Sequence, residues 1–326
     1  MSAVAEPQLS FLARIPLFAG IPANELEEVA RVMRAVRFER GDVLFRQGEE
    51  ADGLHVLEQG LVQASRRLPG GGELEYARLG PGDVLGEIPL LDGGRHSATA
   101  RVAEPTRLLS LSRADFAALV SRDHPTAFAL KRRIAGVACA RLRRQLGVLA
   151  ASLEGGAGAS APAVEVTPAA ELESCGPPDS AYVRRLANFR AFDSLALWGL
   201  LTAGRFARCP AGRTLVAEGD ASPACYVTMN GAVEKVLVRG DRRIRVGLAG
   251  PGQAFGYESL IDAGPAPVTA TTRERTLLLV LPPHAFERLF HGETAGSHAF
   301  LDVIHRDLMA SLRQALRPHA RLAASL

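Results

Sequence analysis

The sequence has few cysteines, and it lacks the apolar runs of membrane and secreted proteins. Its cysteines are far apart and form no CxxC pair, which argues against a zinc site and a disulfide scaffold: Cys139, Cys175, Cys209 and Cys225. No apolar run approaches the roughly 20 residues that cross a membrane. The first 18 residues have no basic segment and no continuous apolar core, so they do not resemble a signal peptide. We therefore expect a cytoplasmic protein with no metal and no membrane partner.

The sequence also lacks a large excess of charge of either sign. It has 38 basic and 35 acidic residues, and this near balance does not favour nucleic acid as a partner. Hydrophobic residues make up 47% of the 326 residues, which is typical of globular domains. A chain of this length has room for two such domains.

An internal repeat is the main positive feature of the sequence. Glycines at positions 41, 48 and 60 recur 171 positions later, and glycines at 82 and 86 recur 170 positions later. A nearly constant offset indicates two copies of one domain, with one residue deleted in a loop. We place the first copy at 9–153 and the second at 181–320. The segment 154–180 is rich in Gly, Ala and Pro, so we expect a flexible linker.

Each copy alternates short strand-like segments with glycine-containing turns every 8–12 residues, a pattern that predicts a small barrel or jelly roll. In the first copy, "LHVLEQ" and "LVQASRRL" are predicted as separate strands, as are "SATARVA" and "RLLSLS". Helical stretches follow, one capped by Ser112 and a longer one at about 125–152. We therefore expect a mainly β fold with flanking helices: two tandem β-roll or jelly-roll domains, each with N-terminal helices and a long C-helix.

This order of elements, the glycine spacing and "PGDVLGE" resemble the cyclic nucleotide-binding domain family. That family includes bacterial catabolite activator proteins, regulatory subunits of cAMP-dependent protein kinase and cyclic nucleotide-gated channels. The resemblance covers nearly the whole chain, twice. It implies cAMP or cGMP as effector, held by a phosphate cassette. The cassette has Gly-Glu, a short apolar helix, and an arginine followed by a small residue, Ala and Thr or Ser. In it, a helix N-terminus and the arginine hold the phosphate, and the glutamate accepts from the ribose 2′-OH.

In the first copy, the cassette reads "GEIPLLDGGRHSAT". The residues that match it are Gly86, Glu87, Ile88, Ser97, Ala98 and Thr99. His96 stands at the arginine position, and Arg95 comes one place earlier. An imidazole cannot make the two-pronged contact of an arginine, and the loss of one charge-assisted contact costs about 1.5–3 kcal/mol. Either His96 takes the role, or the loop shifts so that Arg95 does, and the sequence leaves both alternatives open.

In the second copy, the cassette departs further from the family pattern. Gly256 remains, but Tyr257 replaces the glutamate, with Glu258 beside it, and Ala266 stands at the arginine position. We therefore expect the first copy to be the ligand site and the second to be degenerate.

Two functions from different classes fit these patterns. The first is a non-enzymatic, bacterial-type regulatory protein that binds a cyclic nucleotide in its first copy. Movement of its C-helix would then signal to a separate effector protein. The alternative is a scaffold for protein interactions whose pockets bind no nucleotide. A different small effector, such as haem or a fatty molecule, is a third interpretation. The long amphipathic C-helices also favour a homodimer.

Overall fold

The computed structural model describes residues 6–67, 72–92, 94–121, 126–153, 164–190, 192–240 and 242–323. The chain forms two compact units. The first contains the residues up to Val137 and those from Ala320 onward, and the second is Ala138–His319.

The first unit is an antiparallel β-structure preceded and followed by helices. Its strands are β1 (Arg34–Phe38), β2 (Val43–Phe45), β3 (Gly53–Arg67), β4 (Glu73–Leu79), β5 (Val84–Leu85) and β6 (Thr99–Ser112). Its helices are α1 (Glu6–Leu12), α2 (Ala23–Val32), α3 (Glu87–Asp92), α4 (Arg113–Leu119) and the beginning of α5 (Ala127–Leu153). The strand order is β1-β6-β3-β4, with β2 also paired to β6 and β5 to β3.

The first unit has two apolar clusters. The larger one joins the N-terminal helices, β3, β6, α4 and the start of α5; it includes Phe18, Leu26, Leu54, Leu109, Phe116 and Ile134. The smaller one is made by Leu57, Val62, Leu85, Ala100 and Leu108. The predicted cap of α4 is confirmed, since Ser112 Oγ accepts a hydrogen bond from the Asp115 N–H at 3.1 Å.

Two predicted strand boundaries in the first unit are wrong. β3 joins the two strands predicted on either side of Gly60, and β6 joins the two predicted between Thr99 and Ser112. β3 and β6 pair along most of their length, and register shifts between Leu57 and Val62 take up the bend. A glycine that indicates a turn in the sequence is here a bend within one long strand.

The second unit repeats this organisation with shorter strands in two sheets. Its strands are β7 (Glu173–Cys175), β8 (Arg205–Cys209), β9 (Thr214–Val216), β10 (Cys225–Asn230), β11 (Val233–Arg239), β12 (Arg242–Ala249), β13 (Ala254–Phe255), β14 (Thr269–Thr272) and β15 (Thr276–Leu281). The sheet orders are β13-β10-β15-β8-β7 and β12-β11-β14-β9. Its helices are α6 (Ser180–Arg185), α7 (Ser194–Leu201), α8 (Glu258–Asp262) and α9 (Pro283–His291). It also includes the end of α5 and the part of α10 (Ala295–Ala323) up to His319.

The predicted flexible linker is partly ordered. Within the described part of 154–180, β7 pairs with β8, and Leu172 is buried in the core of the second unit. Residues 169–171 form one turn of 3₁₀ helix. Its Gly- and Pro-rich composition did not predict this, because one buried leucine and three paired residues are enough to attach a short segment to a sheet. Residues 154–163 lie outside the described residues.

The structure shows the same repeat as the sequence. All ten repeated glycines have a positive φ, between 75° and 96°. The boundary between the units differs from the predicted end of the first copy at residue 153. It lies at Val137/Ala138, because the second half of α5 packs within the second unit.

Candidate functional site

The main chain of His96 is fixed by two hydrogen bonds to the turn after β2. Its N–H donates to the Glu49 carbonyl, and its carbonyl accepts from the Gly48 N–H, both at 2.9 Å. Extended pairing of this kind makes successive side chains point to opposite faces. The pairing therefore decides which of residues 95 and 96 faces inward.

Ala266 is held in the same way in the second unit. Its N–H donates to the Asp220 carbonyl at 2.7 Å, and its carbonyl accepts from the Gly219 N–H at 2.9 Å. Since Gly219 repeats Gly48, the two ladders are equivalent. Ala266 and His96 therefore occupy the same backbone position, as the sequence alignment predicts.

The His96 imidazole is the inward-facing group. It stacks on Phe45 of β2, with ring centroids 3.7 Å apart and planes 6° apart, and the residue is only 4% exposed. Its Nε2 has no hydrogen-bond partner among the described residues. Burial lowers the pKa of His96, and the nearby Asp52 carboxylate raises it in part. The site thus contains a buried imidazole with a hydrogen-bonding atom that has no partner among the described residues.

Arg95 points away from this site. Its side chain is 67% exposed, its Nη1 donates to the Gly48 carbonyl at 2.8 Å, and its Nη2 lies 3.7 Å from Glu50 Oε1. The loop shift that would bring Arg95 into the arginine position is therefore not the arrangement seen here.

A second histidine lies in this part of the first unit. His55 Nδ1 is 2.9 Å from Ser110 Oγ, and His55 Nε2 is 3.5 Å from Asp52 Oδ1. The His55 imidazole lowers the pKa of Asp52. Gly86 belongs to the same region, because a Cβ at its position would lie 3.7 Å from His55 Cδ2.

Sequence analysis missed Phe45, Asp52 and His55 as parts of this site. They lie on β2, on the following turn and on β3. Each of the three residues is more than 40 positions before His96 in the sequence. The repeat carried one signal: His55 of the first copy aligns with Tyr226 of the second. A polar ring in place of a buried tyrosine could have marked that position.

The remaining predicted residues of the first site have distinct environments. Glu87 begins α3 and is only 2% exposed, and Ala98 is buried as well. Thr99 Oγ1 accepts a hydrogen bond from the Gln47 N–H at 3.1 Å, and Ser97 is half-buried. Ile88 is the second residue of α3, and its side chain lies outside the described part of the structure.

In the second unit, hydrogen bonds link Tyr257 and Lys235 to two side chains of α10. Tyr257 is fully buried, and its hydroxyl donates to Asp307 Oδ2 of α10 at 2.7 Å. Lys235 of β11 donates to the same carboxylate and to Ser311 Oγ, both at 3.2 Å. Gly256 precedes Tyr257 with a φ of 75°. The tyrosine that replaces the cassette glutamate therefore anchors the C-helix of this unit.

The other two predicted residues of the second site are also enclosed. Ala266 is 3% exposed and offers only a methyl group at the arginine position. Glu258 is 4% exposed, and burial raises the pKa of its carboxyl group. The positive charge of Lys235 lowers this pKa in part. This arrangement supplies no cation at the arginine position itself.

The second half of α5 lies against α8 and closes this region further. Arg143 Nη2 donates to both carboxylate oxygens of Asp262, at 2.7 and 3.0 Å. Cys139 Sγ lies 3.8 Å from the Glu258 carbonyl oxygen. A small cavity of about 10 Å³ remains, with room for about one water molecule; it is lined by Leu142, Leu146, Lys235, Val246, Glu258, Val268 and Ser311.

Comparison with known proteins identifies the family. The family model of the cyclic nucleotide-binding domain matches residues 35–123 and 206–293, which is more than half of the chain. The chain therefore belongs to the cyclic nucleotide-binding domain family, with two copies of the domain. The predicted resemblance and the predicted fold class are both confirmed.

The chain is similar to parts of curated proteins of different kinds, among them a receptor protein and an acetyltransferase. The chain is 37% identical over 123 residues to the cyclic AMP receptor protein of Thermus thermophilus. The aligned region covers 36% of this chain and 57% of that protein. It is 34% identical over 105 residues to the acetyltransferase Pat of Mycolicibacterium smegmatis. That aligned region covers 32% of this chain and 31% of the relative. The chain thus spans less than three fifths of the length of these curated relatives.

One solved structure matches over nearly the whole length of both chains. The match to the regulatory domain of Toxoplasma gondii PKA, crystallised with cAMP, covers 97% of this chain and 98% of that chain, at 19% identity and a TM-score of 0.35.

Cyclic nucleotides are the effectors of this family, which fits the prediction of cAMP or cGMP. Among the residues that the structure describes, no group of three or more His, Cys, Asp or Glu side chains is placed to hold a metal ion. No described helix is both long and apolar enough to cross a membrane.

Proposed function

We propose that this chain is a non-enzymatic regulatory protein that binds cAMP or cGMP in its first domain. The observation that carries this proposal is the contrast at one backbone position. His96 presents a buried Nε2 with no partner among the described residues, whereas its equivalent, Ala266, presents a methyl group. Buried polar atoms normally have a hydrogen-bond partner, so an open one indicates a place for a ligand.

The second domain serves as a structural or interaction module in this proposal. Its Tyr257 hydroxyl and its Lys235 ammonium both bind Asp307 on α10. A nucleotide would have to break these buried contacts, and breaking a buried ion pair costs about 3–5 kcal/mol. We therefore infer one nucleotide per chain, bound in the first domain.

The output of the protein is carried by α5 in this proposal. This helix begins in the first unit and ends in the second. A nucleotide that binds one position of α5 more tightly shifts the population toward that position. The change is then read by a separate effector protein, with self-association through the C-helices as a further consequence. All four cysteines are free thiols, which supports a reducing, cytoplasmic site of action.

Calorimetric titration of the full chain tests ligand binding directly. We expect cAMP or cGMP to bind with a stoichiometry of one per chain. Glu87→Gln should weaken this binding about ten- to hundredfold, because it removes the charge from the acceptor proposed for the ribose hydroxyl.

Glu104→Gln is the matched control, since it makes the same chemical change on an exposed residue of β6. It should bind like the natural chain. If neither nucleotide binds the natural chain, the protein is not a nucleotide sensor, and the scaffold interpretation takes its place. A stoichiometry of two would show that the second pocket opens.

A further inference from the structure

The arginine position of the first domain contains a group that can gain or lose a proton near neutral pH. An unperturbed imidazole titrates near pH 6.5, unlike the guanidinium that the family cassette has there. His96 is only 4% exposed, and its stacking on Phe45 fixes the orientation of the ring. Its main chain is held by Gly48 and Glu49, which sets the face of the segment from which the imidazole projects.

The charged and titratable groups around His96 come from three neighbouring elements and from its own segment. Asp52 and Glu49, on the turn after β2, favour the protonated ring, whereas His55 of β3 and Arg113 at the start of α4 oppose it. Arg95, on the same segment as His96, is turned outward to Gly48 and Glu50. Burial outweighs the acidic neighbours and lowers the pKa of His96 in the free protein.

An anion next to Nε2 changes this balance. A phosphodiester is a permanent anion across the neutral pH range, and an opposite charge within hydrogen-bonding distance favours the protonated imidazole. Protonation also supplies the charge-assisted hydrogen bond that a neutral imidazole lacks.

We propose that the first domain binds its cyclic nucleotide together with a proton taken up by His96, so that nucleotide affinity is regulated by pH. This inference rests on the proposed function, since it concerns the same site. It makes the chain a sensor of two signals, in which acidification strengthens the response to a given nucleotide concentration.

The direction of the pH dependence follows from the two protonation states. The pKa of His96 lies below its ordinary value in the free protein and is higher in the complex. Affinity therefore rises as pH falls through the pKa of the complex and becomes constant below the pKa of the free protein. Each unit of difference between the two pKa values changes the affinity tenfold. We expect the dissociation constant to be about tenfold or more larger at pH 8 than at pH 6.

Calorimetry on the full chain with cAMP and with cGMP tests this proposal. Titrations at pH 6, 7 and 8, each in two buffers of different ionisation enthalpy, give the affinity and the number of protons taken up. We expect uptake of up to one proton per nucleotide. His96→Gln, which offers an amide N–H as donor but cannot be protonated, should bind without pH dependence. His96→Arg, a permanent cation, should also be independent of pH and bind at least as tightly as the natural chain at pH 6.

His55→Gln is the control for a neighbouring titratable ring, and it should keep the pH dependence. NMR spectra of the histidine side chains, recorded with and without nucleotide, measure the His96 titration in the unsubstituted protein. Binding that is constant from pH 6 to pH 8 with no proton uptake would overturn the proton linkage and leave the proposed function intact. Persistence of the pH dependence in His96→Gln would also overturn it. Absence of binding by both nucleotides at every pH would overturn the proposed function, and this inference with it.

Discussion

Gly60 shows how one residue shapes the first unit. It has a φ of 96° in the middle of β3, where a Cβ would lie 2.5 Å from the Pro105 carbonyl oxygen. Gly41 has the same φ, but no described atom lies within 4 Å of a Cβ placed there. The two positions therefore separate backbone strain from steric overlap.

We expect Gly60→Ala to lower the free energy of unfolding by about 2–4 kcal/mol, since it combines left-handed strain with a backbone clash. Gly41→Ala should lower it by about 1 kcal/mol, because it has the strain alone. Urea denaturation of both variants measures the difference. Equal losses in the two variants would show that β3 and β6 move apart enough to accommodate the methyl group.

At the scale of elements, the attachment of α5 to α8 depends on a contact with two hydrogen bonds. Arg143 and Asp262 are both 25% exposed, so water screens this pair only in part. We expect Arg143→Glu to weaken the attachment by about 1–2 kcal/mol, because it replaces attraction with repulsion. Hydrogen exchange should then be about five- to thirtyfold faster for amides in residues 139–150.

The double variant Arg143→Glu with Asp262→Arg should recover most of the protection, since it restores the pair in reverse. Arg144→Glu is the matched control, because it reverses the charge of the next residue, which is exposed. Unchanged exchange in Arg143→Glu would mean that the apolar contacts of Leu142 and Leu146 hold the helix without the ion pair.

At the scale of the whole molecule, α5 belongs to both units and is the proposed carrier of the signal. Saturating cAMP or cGMP should change amide exchange along residues 127–153, because binding selects one position of this helix. Exchange mass spectrometry of the full chain measures this change, with Glu87→Gln as the variant that does not respond at the same nucleotide concentration. Binding without any change in α5 would contradict the proposed route of the signal.

The sequence by itself determined the repeated architecture. The offsets between glycines are local facts of the chain, and all ten repeated glycines adopt the positive φ that a side chain disfavours. The cap at Ser112 and the long helix that follows the strands depend on neighbouring residues, so their patterns were readable as well. The predicted strand ends at Gly60 are wrong, because glycine occurs both in turns between strands and in bends within one strand.

Only the tertiary structure decided what the two sites contain. His96 rather than Arg95 faces inward, since pairing with residues 48 and 49 sets the direction of each side chain. The second site is closed by Asp307 of α10 and by the end of α5, which are far from its cassette in sequence. The attachment of Leu172 to the second core is likewise a long-range contact. Such contacts depend on how distant elements pack, and residue spacing along the chain carries no record of that packing.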